Sequence, residues 1–221
     1  MQSQITKQIK QLFLKELRVE MKNKYAFWSL VLLLVVTVFI IYSIQKEAEN
    51  LVWHSLFYVV LILGVVQNIT RSFLNEKRGT LLYYRFLVNS KAIIIAKILY
   101  QFLINLIFLF ILFIVMNFWL PQEIPQLVPY GVTAFLFTMS CSIVFTFNSA
   151  LSLGARNSSL VALILSMPLL LPSLLISLKS SSKALTHVSS FNFYPDWGVL
   201  ILLLIIQLIL SISLFSYIWR E

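Results

Sequence analysis

The stretch RSFLNEKRGTLLYYRFLVNSK, residues 71–91, is the longest polar interruption of the chain after its N-terminal segment. Apolar sequence flanks it on both sides. Its centre combines Gly79-Thr80 with an apolar and aromatic turn, namely Leu81, Leu82, Tyr83 and Tyr84. Its charged residues are Arg71, Glu76, Lys77, Arg78, Arg85 and Lys91. Aromatic side chains among charges are typical of protein contact surfaces, so the pattern predicts a folded contact element outside the membrane.

The chain as a whole has the composition of an integral membrane protein. Of its 221 residues, 60% are hydrophobic and 11% are charged, whereas soluble domains carry about 25% charged residues. The formal net charge is +9. In a membrane protein the positive-inside rule accounts for such an excess of cations, so a nucleic-acid partner is not expected.

Six apolar runs reach the ~20 residues that a helix needs to cross ~30 Å of hydrocarbon. They cover residues 26–44, 51–70, 92–120, 127–152, 159–178 and 196–219. The predicted fold class is therefore all-α integral membrane, with six transmembrane helices in one domain over residues 1–221. Residues 71–91 then lie between spans 2 and 3.

The distribution of Lys and Arg predicts the orientation. Of the 17 cations, six lie in residues 1–25 and five in 71–91, while the loops of the opposite side hold Lys46, Lys179 and Lys183. The positive-inside rule therefore places both termini and residues 71–91 in the cytoplasm. No cleaved signal peptide is expected, because no short apolar core ends at a small-residue cleavage site before the first span.

Residues 1–25 predict an amphipathic interfacial helix, with Ile5, Ile9 and Phe13 on one face and lysines on the other. Glu16 and Glu20 lie one turn apart, near the apolar sector. They either meet a cationic partner inside the protein or lie at a hydrated headgroup boundary.

Several side chains in the spans are interpreted structurally. The five tryptophans fall near predicted span ends, where the ring suits the headgroup layer: Trp28, Trp53, Trp119, Trp197 and Trp219. Six amides are expected to link helices: Gln67, Asn68, Gln101, Asn105, Asn148 and Gln207. Pro168 and Pro172 each remove a backbone donor and predict a kink in span 5, at a subunit or substrate interface or for packing alone.

The ionisable residues disfavour chemistry by this chain. Within the spans they are Lys97 and His54, with no carboxylate in a span interior, as a proton-coupled transporter or a membrane hydrolase would need. Lys97 is close enough to the interface to snorkel, the alternative being a specific pairing in the membrane. No G-x-x-x-x-G-K-[ST] motif is present, so the energy for any transport must come from a partner.

Two segments resemble a known family. FLNEKRGTLLYYRFLVNSKAIIIAKIL, residues 73–99, resembles the acidic and Gly-Ser/Thr-Leu loop of the CcmB family, the haem exporter protein B of cytochrome c maturation. LGARNSSLVALILSMPLLLPSLLI, residues 153–176, resembles its fifth span with two prolines. The chain departs from the family at Leu82 and Val88, where Glu and Pro are common. It also lacks the tryptophan-rich motif of the related haem-handling protein C.

The resemblance implies a non-catalytic ABC permease subunit in a bacterial inner membrane, present as a homodimer. It would couple ATP hydrolysis by a CcmA-type ATPase to haem delivery or to release of a haem-loaded chaperone, alongside CcmC-type and CcmE-type proteins. Haem would be a handled substrate, and ATP would bind the partner. The implied ATPase-docking residues are Glu76, Lys77, Arg78, Gly79, Thr80, Leu81, Leu82, Tyr83, Tyr84 and Arg85.

Three alternatives remain open beside this interpretation. His54 and His187 are candidate haem ligands, since histidine is the usual protein ligand of haem iron, or hydrogen-bonded interface residues. The chain is either a transporter or a transport-free scaffold of the same complex. The third alternative is that the chain is an ABC-2 exporter permease for another substrate.

Overall fold

The computed structural model describes residues 2–22, 24–44, 49–72, 88–152, 157–186 and 192–218, and these residues form seven α-helices and no strand. The helices are α1 (Gln2–Lys22), α2 (Lys24–Ile44), α3 (Asn50–Ser72), α4 (Ser90–Trp119), α5 (Leu127–Leu151), α6 (Ser158–Ala184) and α7 (Tyr194–Ile218). The chain is therefore all-helical over its described part, as predicted.

Five of the described helices contain segments long and apolar enough to cross a membrane. These segments are Asn50–Asn68, Ser90–Trp119, Leu127–Leu151, Leu160–Ala184 and Tyr194–Tyr217. In α2 the apolar segment Trp28–Ile44 is shorter. The chain is an integral membrane protein, and the helix bounds agree with the predicted runs within two residues everywhere except at the end of α6.

Helix α5 is the centre of the bundle. Every residue from Ser140 to Ala150 is buried, and α5 has its most extensive contact with α6. The buried stretch is rich in small residues, which let neighbouring backbones approach closely in a membrane protein. Around it, Phe57 and Leu61 of α3 and Leu112 of α4 belong to one apolar core with Phe137. The single cysteine, Cys141, is free and buried in this core.

The end of the bundle at Trp119 is tied by polar contacts between helices. Asp196 forms an ion pair with Lys183 at 2.5 Å, which joins the start of α7 to the end of α6. The Gln126 N–H donates to the Ala184 carbonyl at 3.3 Å. Gln122 donates to the side chain of Asn50. These bonds connect α3, α5, α6 and α7 at one end of the bundle.

Helix α6 is longer than the apolar run 159–178 predicted. Lys179 and Lys183 were assigned to a loop of the opposite side, yet residues 179–184 continue the helix to Ala184. Ser180 and Ser181 are fully buried there, and the Ser180 hydroxyl lies 3.3 Å from that of Thr133 in α5. A serine hydroxyl can bond within the helix and to a neighbour, so a polar sequence can extend a buried helix.

The expectation that every tryptophan is a headgroup anchor is wrong for Trp53. Its side chain is 1% exposed, and its indole Nε1–H donates to the Leu120 carbonyl at 3.0 Å. The ring stacks on Phe57 with centroids 5.6 Å apart. Trp53 is therefore a core residue that joins α3 to the end of α4, whereas Trp28 is exposed as an anchor would be.

Gly64 in α3 allows close packing against α4. A Cβ atom at this position would overlap the ring of Phe108, whose side chain is 4% exposed in the core. The glycine is required by this contact, since neither its backbone nor a turn demands it.

Gly64→Ala is expected to lower the free energy of unfolding by about 1–3 kcal/mol, the usual cost of overpacking a core. Thermal unfolding in detergent measures it. The matched control is Gly198→Ala in α7, where an added Cβ meets no atom within 4 Å. A Gly64→Ala chain as stable as the control would contradict the prediction.

Candidate functional site

The candidate site lies where the N-terminal helix α1 packs against α4, directly after residues 71–91. The Lys97 ammonium of α4 donates to Glu16 Oε1 at 3.5 Å. The Tyr100 hydroxyl donates to Glu20 Oε2 at 2.9 Å. Because Glu16 and Glu20 are one helical turn apart, as are Lys97 and Tyr100, two successive turns of each helix are joined.

The ion pair at this junction is largely withdrawn from solvent. The Lys97 side chain is 3% exposed and that of Glu16 is 13% exposed. Lys15 also lies 3.6 Å from the Glu16 carboxylate, at the outer side of the pair. The interpretation of Lys97 as a snorkelling residue is therefore wrong, because its charge is neutralised by a carboxylate that α1 brings to it.

The sequence indicated half of this arrangement. The sequence left two alternatives for Glu16 and Glu20, a cationic partner inside the protein or a hydrated headgroup boundary. Glu16 has the cationic partner, because it forms an ion pair with Lys97. Glu20 instead accepts from a neutral hydroxyl, that of Tyr100. The missed signal is the i, i+3 spacing of Lys97 and Tyr100 on α4, which matches the i, i+4 spacing of the two glutamates.

The same junction borders the end of residues 71–91. Asn89 caps α4, its side chain accepting from the Lys91 N–H at 3.0 Å. Its own N–H points to Gln8 Oε1 of α1 at 3.5 Å. Val88 is half-buried and packs against the apolar cluster that includes Ile93 and Phe215. The last residues of the stretch 71–91 are therefore held by contacts with α1, α4 and α7 together.

The predicted ATPase-docking residues, Glu76 to Arg85, lie outside the described residues, as does His187. The docking assignment therefore stays a prediction. The structure does describe the two helices that flank them, α3, which ends at Ser72, and α4, which begins at Ser90.

A cluster of three amides and one serine joins the C-terminal part of α3 to α4 and α5. Asn68 donates to Asn105 Oδ1 at 2.8 Å, and Asn105 Nδ2 donates to the Ser142 hydroxyl at 2.9 Å. Gln101 Nε2 lies 3.4 Å from the same Asn105 oxygen. All four side chains are buried. Such bonds contribute about 0.6 kcal/mol each in a membrane protein, so the cluster fixes helix register more than it adds stability.

A second set of polar contacts joins α5 to α6 and α7. The Ser140 hydroxyl donates to Gln207 Oε1 at 2.7 Å and lies 3.1 Å from Ser173. Asn148 Nδ2 donates to Ser166 at 2.9 Å. The prediction that amides link helices is thus confirmed for Asn68, Asn105, Asn148 and Gln207. The contact of Gln101 with Asn105 lies within α4 and joins no second helix. Gln67 is half-buried in α3.

His54 lies at the other end of the bundle and is 3% exposed. Its Nδ1 is 3.4 Å from the Tyr130 hydroxyl, and its Nε2 is 3.3 Å from the Leu178 carbonyl. Tyr58 and Tyr130 pack edge-on against the ring. Haem ligation by His54 stays a prediction, and it would require one of these nitrogens to exchange its protein partner for iron.

Pro168 and Pro172 lie inside α6, and both side chains are exposed on the surface of the chain. Neither proline has an N–H, so the carbonyls of Ile164 and Pro168 receive no helical bond from them. Ile164 and Leu171 on this surface are 71% and 51% exposed. The kink itself stays a prediction, and the two prolines lie on a face that is exposed in the single chain.

Within the described ranges, no three His, Cys, Asp or Glu side chains come close enough to hold a metal ion. Several buried polar groups instead join helices to one another. Fold and site together define a helical integral membrane protein whose N-terminal helix is braced against α4, the helix that begins at the end of the polar residues 71–91.

A family model described as CcmB protein matches residues 7–217, and the chain belongs to the CcmB family. It is therefore a membrane component of the haem-export ABC system of cytochrome c biogenesis. Subunits of this type are permease-like and generally non-catalytic, and they act within the Ccm ABC complex. No curated protein sequence matches the chain.

Proposed function

We propose that this chain is the permease subunit on which a CcmA-type ATPase acts during cytochrome c maturation. ATP hydrolysis on the partner drives haem delivery or the release of a haem-loaded chaperone of the CcmE type, with a CcmC-type haem-handling protein in the same complex. Residues 76–85 dock the ATPase. The chain itself holds no catalytic residue and binds no ATP.

The observation that carries the proposal is the brace between α1 and α4. The proposed docking residues 76–85 precede α4, which begins at Ser90, directly after its cap Asn89. A movement of the docked residues is therefore transmitted along the chain to α4. From there the Glu16–Lys97 ion pair and the Glu20–Tyr100 hydrogen bond pass it to α1. A packed, bonded pair of helices moves as a unit, so closure of an ATPase at this loop shifts two helices together.

The proposed topology has six spans, α2 to α7, with α1 at the cytoplasmic interface of a bacterial inner membrane. Both termini and residues 71–91 face the cytoplasm, as the distribution of cations requires. The α2 helix has 21 residues, enough to cross ~30 Å. All six spans belong to a single domain covering residues 1–221.

The permease is proposed to be a homodimer, because six spans form half of a two-fold permease. The α6 face that carries Pro168 and Pro172 supports a subunit contact. Backbone carbonyls freed by proline are tolerated in lipid where protein or water satisfies them, and this face is exposed in the single chain.

Affinity purification tests the proposal. The chain, isolated in mild detergent from membranes that contain its CcmA-type ATPase, is expected to elute with that ATPase. A chain that elutes alone, while a tagged ATPase from the same membranes also elutes alone, would overturn the proposed function.

A transport-free scaffold of the same complex is the second candidate. The two candidates differ in whether haem crosses the bilayer. Sealed vesicles that contain the complete complex and receive ATP move haem if the chain is a transporter. A scaffold releases chaperone under the same conditions and moves none.

A further inference from the structure

We infer that an anionic phospholipid binds in a groove between α1 and α4, with its headgroup at the lysines of α1 and an acyl chain along α4. The inference rests on the interfacial position proposed for α1. It concerns a ligand of this chain alone and needs no ATPase.

The groove begins between the two helices. It has a volume of about 360 Å³ and is lined from α1 by Phe13 and Lys10 and from α4 by Leu99, Phe102 and Leu106. Its walls are apolar apart from Lys10 and Thr6 at the α1 edge. Leu99 is 45% exposed, so the groove opens to the outside of the bundle.

A second apolar groove, of about 490 Å³, continues along α4. Leu106 lines both grooves, and the second is further bordered by Phe110 and Phe113. From Leu99 to Phe113 the α4 axis rises about 21 Å, at 1.5 Å per residue. One leaflet of hydrocarbon is about 15 Å deep, so the combined track is long enough for a phospholipid acyl chain.

The charge of α1 selects the headgroup. Lys7, Lys10, Arg18 and Lys22 are exposed. Both carboxylates of the helix are directed to α4 instead, where Glu16 meets Lys97 and Glu20 meets Tyr100. The outward face of the described α1 therefore presents positive charge only, next to an apolar track, which is the complement of an anionic phospholipid.

A lipid in this place fills the space beside the α1–α4 ion pair and shields it from water. It would hold α1 in its docked position and so sets the stiffness of the brace on which the proposed coupling depends. The effect differs from general membrane attraction, because it requires one headgroup at Lys10 and one chain at Leu99 to Phe113.

Photo-labelling tests the inference. The purified chain is placed in nanodiscs that contain phosphatidylglycerol with a photoreactive group in one acyl chain, and labelled peptides are mapped. Labels are expected on residues 99–113 of α4. Lys10→Gln is expected to reduce them about fivefold, the equivalent of about 1 kcal/mol for one lysine near an anionic surface.

The matched control is Lys22→Gln, which removes an exposed cation of α1 that does not line the groove. It is expected to label as the wild type does. Leu103→Trp, which fills the groove without changing charge, is expected to abolish labelling between residues 99 and 106 while circular dichroism stays unchanged.

Equal labelling by the phosphatidylcholine analogue would overturn the inference, as would wild-type labelling of Lys10→Gln or labels concentrated outside α4. ATPase retention is read in a separate purification. A chain that retains its ATPase but shows no selective label disproves the lipid site alone, and the reverse result disproves the proposed function alone.

Discussion

Glu16→Ala is expected to lower the free energy of unfolding by about 3 kcal/mol, the lower end of the cost of removing one partner from a buried ion pair. The variant takes a carboxylate away from Lys97, whose side chain is 3% exposed. The lower end applies because Glu16 itself retains 13% exposure. For a chain of this size the loss corresponds to a fall in Tm of roughly 6–12 °C, measured by thermal unfolding in detergent.

Two further variants separate charge from packing at this position. Arg18→Ala removes an exposed charge from the other side of α1 and is expected to change stability by less than about 0.5 kcal/mol. The exchange Glu16→Lys with Lys97→Glu restores the pair with reversed polarity and is expected to recover most of the lost stability. If Glu16→Ala and Arg18→Ala unfold at the same temperature, the ion pair does not hold α1.

The double variant Glu76→Arg, Tyr83→Asp is expected to reduce retention of the CcmA-type ATPase by roughly 100-fold or more. The first change reverses a charge at the proposed interface, and the second places a carboxylate where the proposed docking would bury an aromatic side chain. Each change at an interface anchor costs about 2 kcal/mol or more. Quantitative co-purification from detergent measures the retained ATPase.

Glu123→Arg provides the control for charge reversal as such. Glu123 is exposed in the connection between α4 and α5, on the side proposed to face away from the cytoplasm. Its variant is expected to retain the ATPase fully. A double variant that retains the ATPase equally well would show that docking lies elsewhere, and membership of the CcmB family would be unaffected.

The positions of the helices could be predicted from the sequence because each apolar run is long and ends at polar or proline residues. The end of α6 could not be, since Ser180 to Ser182 resemble loop sequence until Thr133 and His54 are known to lie beside them. The ATPase-docking residues were assigned by resemblance to the CcmB family, and they lie outside the described part of the chain.

Which way a side chain faces was the harder question. In a soluble protein an apolar face points to the core, but in lipid both faces of a helix are apolar. Trp53 and Trp28 therefore looked equivalent, yet the first is 1% and the second 64% exposed. Lys97 could not be assigned either, because its partner Glu16 lies 81 residues earlier in the chain.

The buried position of Cys141 has a practical consequence for this protein. It is the only cysteine in the sequence and is fully enclosed in the core. Towards membrane-impermeant maleimides the folded chain behaves as though it had no thiol. A cysteine introduced at one surface position is thus the sole reactive group, and the side from which reagent reaches it reports directly which face of the membrane that loop occupies.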